Sequence, residues 1–78
     1  MTNQKLKRYT ISIIAGPGPD QGTSRDSAEF VAVDDTVAWP EAHKRAAENP
    51  LVQDRDYLQL TETESGRGVQ GTILKKLN

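Results

Sequence analysis

The chain has 78 residues and a formal net charge of −1; 35% of its residues are hydrophobic and only 5% are aromatic. This length suits one domain near the lower limit for independent folding, with a core thin enough to favour a partner or a second copy. The absence of cysteine excludes disulfides, thiolate metal sites and a cysteine nucleophile. No run resembles a signal peptide or membrane helix, so we expect a soluble, cytoplasmic protein with no membrane contact.

Two segments in the first half of the chain have the alternation typical of strands. Residues 6–15 predict the first strand, because Tyr9, Ile11 and Ile13 alternate with other residues on a two-residue period. Residues 27–33 predict the second strand. Both faces of that second strand are apolar, so the pattern leaves open which face meets the rest of the fold.

The nine residues 16–24 between these strands form a long loop. A phosphate-binding loop needs successive backbone N–H groups followed by a lysine and a hydroxyl, whereas two positions here are prolines and no such pair follows. Hairpins usually close with two to five residues, so the extra length predicts a protruding contact loop. The residues expected to bind a partner are Gly16, Pro17, Gly18, Pro19, Asp20 and Gln21.

Residues 36–48 predict the only helix, with a buried face made mostly of alanine and with Trp39 filling the gap at one end. Asp35 or Thr36 is expected to cap its start, and Asn49 before a proline ends it. Pro40 lacks an N–H and crowds the preceding turn, so we expect a tight first turn followed by a regular helix.

The second half of the chain predicts two further strands, residues 57–63 and 69–77, joined by a turn at Gly66. On the fourth strand, one side is expected to carry Val69, Gly71, Ile73 and Leu77. The element order is therefore strand–strand–helix–strand–strand. This order predicts an α+β two-layer sandwich, a four-stranded, mainly antiparallel sheet with one helix on one face.

Candidate catalytic and metal-binding groups are isolated along the chain. His43 has no second histidine nearby and is expected to be a half-buried residue at the boundary of the helix. Asp34 and Asp35 are better explained by the helix start than by acid–base chemistry, and the serines lack a paired base. We therefore expect no catalytic residue, no metal and no cofactor.

Half of the ten basic residues lie at the two chain ends, whereas all eleven acidic residues lie between them. These basic residues are Lys5, Lys7, Arg8, Lys75 and Lys76. If the first and fourth strands are antiparallel neighbours, both ends meet near the acidic helix start, where the charges pair. The alternative is an anion or nucleic-acid patch with Tyr9 and Tyr57 as stacking platforms.

The hairpin–helix–hairpin layout, the small size and the lack of a catalytic constellation resemble small single-domain proteins of phages and mobile elements, which include inhibitors of bacterial defence systems. The resemblance implies a non-catalytic protein-binding module that occludes or regulates a larger assembly, and a homodimer is also expected. One alternative is a nucleic-acid or anion binder that uses the basic ends. Another is an enzyme whose site is completed between subunits.

Overall fold

The computed structural model describes residues 5–16 and 22–75. The α+β fold predicted from the sequence is confirmed, because one helix packs on a four-stranded antiparallel sheet. The elements are β1 (Lys7–Ala15), β2 (Thr23–Ala32), α1 (Asp35–Glu48), β3 (Tyr57–Glu62) and β4 (Gly68–Ile73).

The strand order across the sheet is β2-β1-β3-β4, which places the first strand inside the sheet and the fourth at an edge. β1 pairs antiparallel with β2 on one side and with β3 on the other. The first and fourth strands are therefore not neighbours, since β3 lies between them. β1 and β4 consequently run in the same direction, and this relation decides where the two chain ends lie.

The core lies between the sheet and the alanine face of α1. Tyr9, Leu58 and Leu60 are completely buried, and Leu58 and Leu60 pair with Ile13 and Ile11 across the sheet. Small helix side chains let α1 lie close to its support, where it packs mainly on β1, β2 and β3. The helix residues that are buried are Ala38, Ala42 and Ala46. Phe30 and Ala32 are also buried, so this face of β2 is the one that meets the helix.

The helix begins at Asp35, one residue before the predicted start at residue 36, and its N-cap is Asp34. Asp34 has extended backbone angles, and its Oδ1 accepts a hydrogen bond of 3.1 Å from the N–H of Val37. The expectation that Asp35 or Thr36 caps the helix is therefore wrong. Pro40 lies inside a continuous α-helix and does not divide it into a tight turn and a regular part.

A β-bulge in each of the pairs β1–β2 and β3–β4 changes which face of the sheet the neighbouring side chains lie on, so a regular two-residue period does not hold there. On β2, Ile13 pairs with Asp26 and Ile14 pairs with Ser24, which leaves Arg25 as an extra residue. On β4, Leu60 pairs with Gln70 and Thr61 pairs with Gly68, which leaves Val69 as the extra residue.

Because of the second bulge, the prediction that Val69 and Ile73 lie on one side of the fourth strand is wrong. Val69 packs against the core on the helix side, whereas Ile73 pairs with Tyr57 on the other face of the sheet. Val69 and Ile73 therefore do not share one side. Leu77, which the same prediction included, lies outside the described residues.

Candidate functional site

Two open cavities lie one after the other between the helix and the edge strand, and together we call them the α1–β4 groove. It exists because α1 packs mainly on the other three strands and leaves the helix-facing side of β4 uncovered. The part near the end of β4 has a volume of about 530 Å³ and is lined by His43, Ala46, Ala47, Val52, Ile73, Leu74 and Lys75. The part near the start of β4 has a volume of about 340 Å³ and is lined by Asp35, Thr36, Trp39, Pro40, Val69 and Gln70.

The helical wall of the groove is formed by one flank of α1. At roughly 100° per residue, Trp39, His43 and Ala47 fall on the same flank, to one side of the buried alanine face. Trp39 is partly buried and packs against the core. The His43 ring meets the Trp39 ring edge to face, with centroids 4.9 Å apart and an interplanar angle of 88°. His43 is exposed, which corrects the expectation of a half-buried position.

The opposite wall is formed by the end of β4 and the residues that follow it. Leu74 faces the helix and belongs to the buried core, whereas the Ile73 side chain lies on the other face of the sheet and is 49% exposed. Lys75 is exposed and makes no ion pair with any other residue in the described part of the chain. The wide part of the groove is thus mainly apolar, with the exposed ammonium group of Lys75 at one end.

Gly71 marks a close approach on the other face of β4. A Cβ atom at this position would overlap the Tyr57 hydroxyl oxygen, so the Tyr57 side chain occupies the space that a larger residue would need. A glycine within a strand is typical of a bulge or of close approach by another backbone. The close approach is made by a side chain, and the bulge lies two residues earlier.

At the start of β4, four polar side chains form a network that we call the Asp35 cluster, made of Tyr9, Asp35, Glu62 and Arg67. The Tyr9 hydroxyl donates to Asp35 Oδ1 over 2.8 Å. Arg67 Nη2 donates to Asp35 Oδ2 over 2.9 Å and to Glu62 Oε2 over 3.1 Å. The cluster therefore ties the helix start to β1 and to the β3–β4 turn.

The electrostatics of the Asp35 cluster follow from these bonds. Burial, with the neighbouring Asp35 carboxylate, raises the pKa of Tyr9 to about 12. The hydrogen bonds from Tyr9 and Arg67 lower the pKa of Asp35, and those from Ser65 and Arg67 lower the pKa of Glu62. The carboxylates stay ionised and the phenol stays neutral near neutral pH, which is the pattern of a structural tie.

A second polar contact closes the opposite end of the sheet. Arg25, the extra residue of the β2 bulge, donates from Nε to Asp56 Oδ2 over 2.7 Å and from Nη2 to Asp56 Oδ1 over 3.2 Å. The Asp56 side chain is only 4% exposed. The bulge thus directs Arg25 across β1 to the beginning of β3, and the pair anchors β3. The Arg25–Asp56 ion pair stabilises the fold only when both residues are present, because a buried carboxylate without its guanidinium partner lowers the free energy of unfolding.

The predicted basic patch is not formed as one surface. Lys7 and Arg8 begin β1, beside Glu62 and Glu64, whereas Lys75 follows the end of β4. Because β1 and β4 run in the same direction, Lys75 lies at the opposite end of the sheet from Lys7 and Arg8. The prediction that both chain ends meet is therefore wrong for these residues; Lys76 lies outside the described residues.

The same prediction also concerned charge pairing at the start of β1 and the two tyrosines as stacking platforms. Lys5 lines a small cavity with Lys7, Arg8 and two glutamates, and Arg8 Nε lies 3.6 Å from Glu64 Oε1. Charge pairing is therefore present at this end, but the partner is Glu64 between β3 and β4 and not the acidic helix start that the sequence predicted. Tyr9 is buried in the core and cannot serve as an exposed stacking platform, whereas Tyr57 lies on the open face of the sheet.

The predicted contact loop is described only at its borders. Of the predicted loop 16–24, Gly16 and Gly22 are described, whereas Thr23 and Ser24 belong to β2, so the loop ends earlier than predicted. The residues of this loop that lie outside the described residues are Pro17, Gly18, Pro19, Asp20 and Gln21. Within the described ranges, no group of three or more His, Asp or Glu side chains is arranged to hold a metal ion, and no helix there is long and apolar enough to cross a membrane.

The chain matches no protein-family model, no curated protein and no solved structure. The candidate site therefore depends on geometry alone. Sequence reasoning missed the α1–β4 groove, because the groove arises from the position of the helix over three of the four strands. One signal was present in the sequence, since Gly68–Ile73 contains no charged residue.

Proposed function

We propose that this protein is a non-catalytic protein-binding module that acts by covering a surface of a larger assembly, and that the partner docks in the α1–β4 groove. The observation that carries this proposal is the open, mainly apolar wide part of the groove, bounded by Ala47, Leu74 and Lys75. Concave apolar surfaces with few polar groups are the usual places where proteins take up ligands and partner segments.

The lining of the groove indicates the chemistry of the partner. A segment that presents apolar side chains would replace water along Ala46, Ala47 and Leu74. The exposed ammonium group of Lys75 has no ionic partner among the described residues. A carboxylate on the bound segment would form an ion pair with the Lys75 ammonium group and so fix the direction in which the segment lies.

The biological setting belongs to the same proposal. A small domain that covers a surface on a host assembly fits the outline of phage and mobile-element inhibitors of bacterial defence, and such a protein would act in the cytoplasm. The nucleic-acid alternative receives no support from the groove. Its basic residues are separated, with Lys7 and Arg8 at one end of the sheet and Lys75 at the other.

The test compares two glutamate substitutions at mirror positions on the helix. Ala47 lies on the flank that lines the groove. Val37 is exposed and lies at the corresponding angle on the opposite flank, toward β2. Ala47→Glu places a carboxylate on the groove lining, whereas Val37→Glu places the same group away from it.

Wild type, Ala47→Glu and Val37→Glu are used in parallel as baits for affinity capture, followed by quantitative mass spectrometry. We expect at least one partner to be retained by wild type and Val37→Glu and depleted about tenfold or more with Ala47→Glu, a loss of about 1.4 kcal/mol in binding. Circular dichroism establishes that both variants are folded. Equal capture by all three baits would contradict docking in the groove.

A further inference from the structure

The space above β4 has the width of a second helix. α1 packs on β1 and on the strands at either side of it, β2 and β3, so its axis lies near β1. Neighbouring strands are about 4.8 Å apart, which puts β4 about 10 Å to one side of β1. Two helices that pack side by side have axes about 8–10 Å apart. A helix laid beside α1 on the same face of the sheet would therefore lie over β4.

The α1–β4 groove is also long enough for a short helix. Its two cavities follow α1 from Asp35 at one end to Ala47 at the other. Between these residues the helix rises by about 18 Å, at about 1.5 Å per residue. A second helix of about 12 residues has the same length.

We propose that the partner segment bound in the groove is an amphipathic α-helix of about three turns, which lies beside α1 and completes the helical layer over β4. This inference rests on the proposed function and specifies the form of the segment that docks. Amphipathic helices bind in apolar grooves through side chains at i, i+3, i+4 and i+7, which form one face.

The volumes of the two cavities predict where the bound helix carries its large side chains. The cavity of about 530 Å³ lies beside Ala46 and Ala47, whose small side chains leave room for a leucine or a phenylalanine. Trp39 lines the cavity of about 340 Å³, and His43 lines the larger one. Their rings contact each other and mark the boundary between the cavities. We expect an alanine or a glycine on the bound helix at this boundary.

Lys75 determines the position of one charge on the bound helix. Its exposed ammonium group lies at the larger cavity, beside the space for the large apolar side chain. An aspartate or glutamate on the bound helix, within one turn of that side chain, would form an ion pair with Lys75.

A strand added to the edge of β4 is the main alternative occupant. Such a strand would lie in the plane of the sheet and would leave both cavities above β4 unfilled. The bulge at Val69 also interrupts the regular ladder that an added strand needs, because Val69 is an extra residue between Gly68 and Gln70. The geometry therefore favours a helix.

Peptide selection on the purified full chain tests the form of the bound segment. Two display libraries of peptides of about 14 residues are used, one with apolar positions at helical spacing and one with apolar positions that alternate as in a strand. Each library is selected in parallel on wild type, Ala47→Glu and Val37→Glu. We expect helical-pattern peptides to be enriched on wild type and Val37→Glu, and about tenfold less on Ala47→Glu.

Two measurements on the selected peptides follow the helix and the charge. The peptides should gain helical circular dichroism on binding, and a proline at the centre of a peptide should weaken binding about tenfold or more. Lys75→Glu should weaken binding about three- to fivefold, and exchanging the acidic residue of the peptide for lysine should restore it. Lys44→Glu is the matched control, because Lys44 is exposed on α1 and does not line the larger cavity. Equal losses in Lys75→Glu and Lys44→Glu would contradict the contact assigned to Lys75.

The failure of the helix and the failure of groove docking give different results. Strand-pattern peptides that bind wild type and are lost on Ala47→Glu would overturn the helix and leave groove docking in place. Helical-pattern peptides that bind wild type and Ala47→Glu equally would place the binding elsewhere on the molecule and contradict both. Enrichment from neither library would overturn the inference, and affinity capture with Ala47→Glu and Val37→Glu then decides groove docking separately.

Discussion

At the scale of single residues, Tyr9 connects the core to the polar surface. Its ring is fully buried and lies 5.9 Å from the Phe30 ring, while its hydroxyl donates to Asp35. This dual character explains why a tyrosine stands at a core position. The hydroxyl donates a hydrogen bond to the carboxylate of Asp35, the first residue of α1, and a phenylalanine at this position could not make that bond.

The raised pKa of Tyr9 predicts a loss of stability at high pH. The pKa is about 12 in the folded protein and about 10 in an unfolded chain. The neutral phenol therefore stabilises the fold fully below about pH 10, and this contribution is lost as the pH rises toward 12. A shift of this size corresponds to about 2–3 kcal/mol.

Chemical unfolding at a series of pH values checks this prediction. Wild type should lose stability between about pH 10 and 12 more steeply than Tyr9→Phe, which has no phenol to ionise at this position. At neutral pH, Tyr9→Phe should be less stable by about 1–3 kcal/mol, the cost of a lost hydrogen bond to a charged group. Identical alkaline profiles for the two proteins would refute the role assigned to Tyr9.

At the scale of elements, the helix contains one residue that opposes its own stability. Pro40 has no N–H to donate to the carbonyl of Thr36, and its ring crowds that carbonyl. Pro40→Ala should therefore raise the free energy of unfolding by about 1–3 kcal/mol. Thermal unfolding followed by circular dichroism measures the change. A lower melting temperature for Pro40→Ala would show that the proline side chain, which lines the groove, contributes packing that outweighs its backbone cost.

The elements themselves could be predicted from the sequence because their alternation is local. In β3, the two-residue period puts Leu58 and Leu60 on one face of the strand, and both are completely buried. Side-chain directions near bulges could not be predicted, because a bulge depends on how two strands pair. Val69 was therefore grouped with Ile73, which lies on the other face of the sheet, and the contact of Arg25 with Asp56 was not anticipated.

At the scale of the whole molecule, strand order determines which residues meet, and a single sequence specifies strand order weakly. Two hairpins joined by a helix can place either the first or the second strand of each pair at the centre of the sheet. Here β1 and β3 are central, and this order separates the basic residues and makes β4 an edge. The candidate site follows from that order, which is why sequence reasoning emphasised the loop and the chain ends.

The same strand order relates the loop to the groove. β1 ends beside Gly16, and β4 ends beside Lys75. Because β1 and β4 run in the same direction, the borders of the loop and the cationic end of the groove lie at one end of the sheet. The proposed partner, if it contacts Lys75, is therefore expected to lie on the side of the molecule where the sequence predicts a contact loop.

Replacing residues 17–21 with a short Asn-Gly turn tests this relation. The variant should keep the fold, because Ile13 and Ile14 pair with β2 and β3 outside the replaced segment. It should bind the partner more weakly than wild type, since part of the contact is removed. Isothermal titration calorimetry with the captured partner measures both this loss and that of Ala47→Glu. If the loop and the groove contact the same partner segment, the double variant should lose less than the sum of the two single losses. Full binding by the loop variant, with binding lost in Ala47→Glu, would show that the partner contacts the groove without the loop.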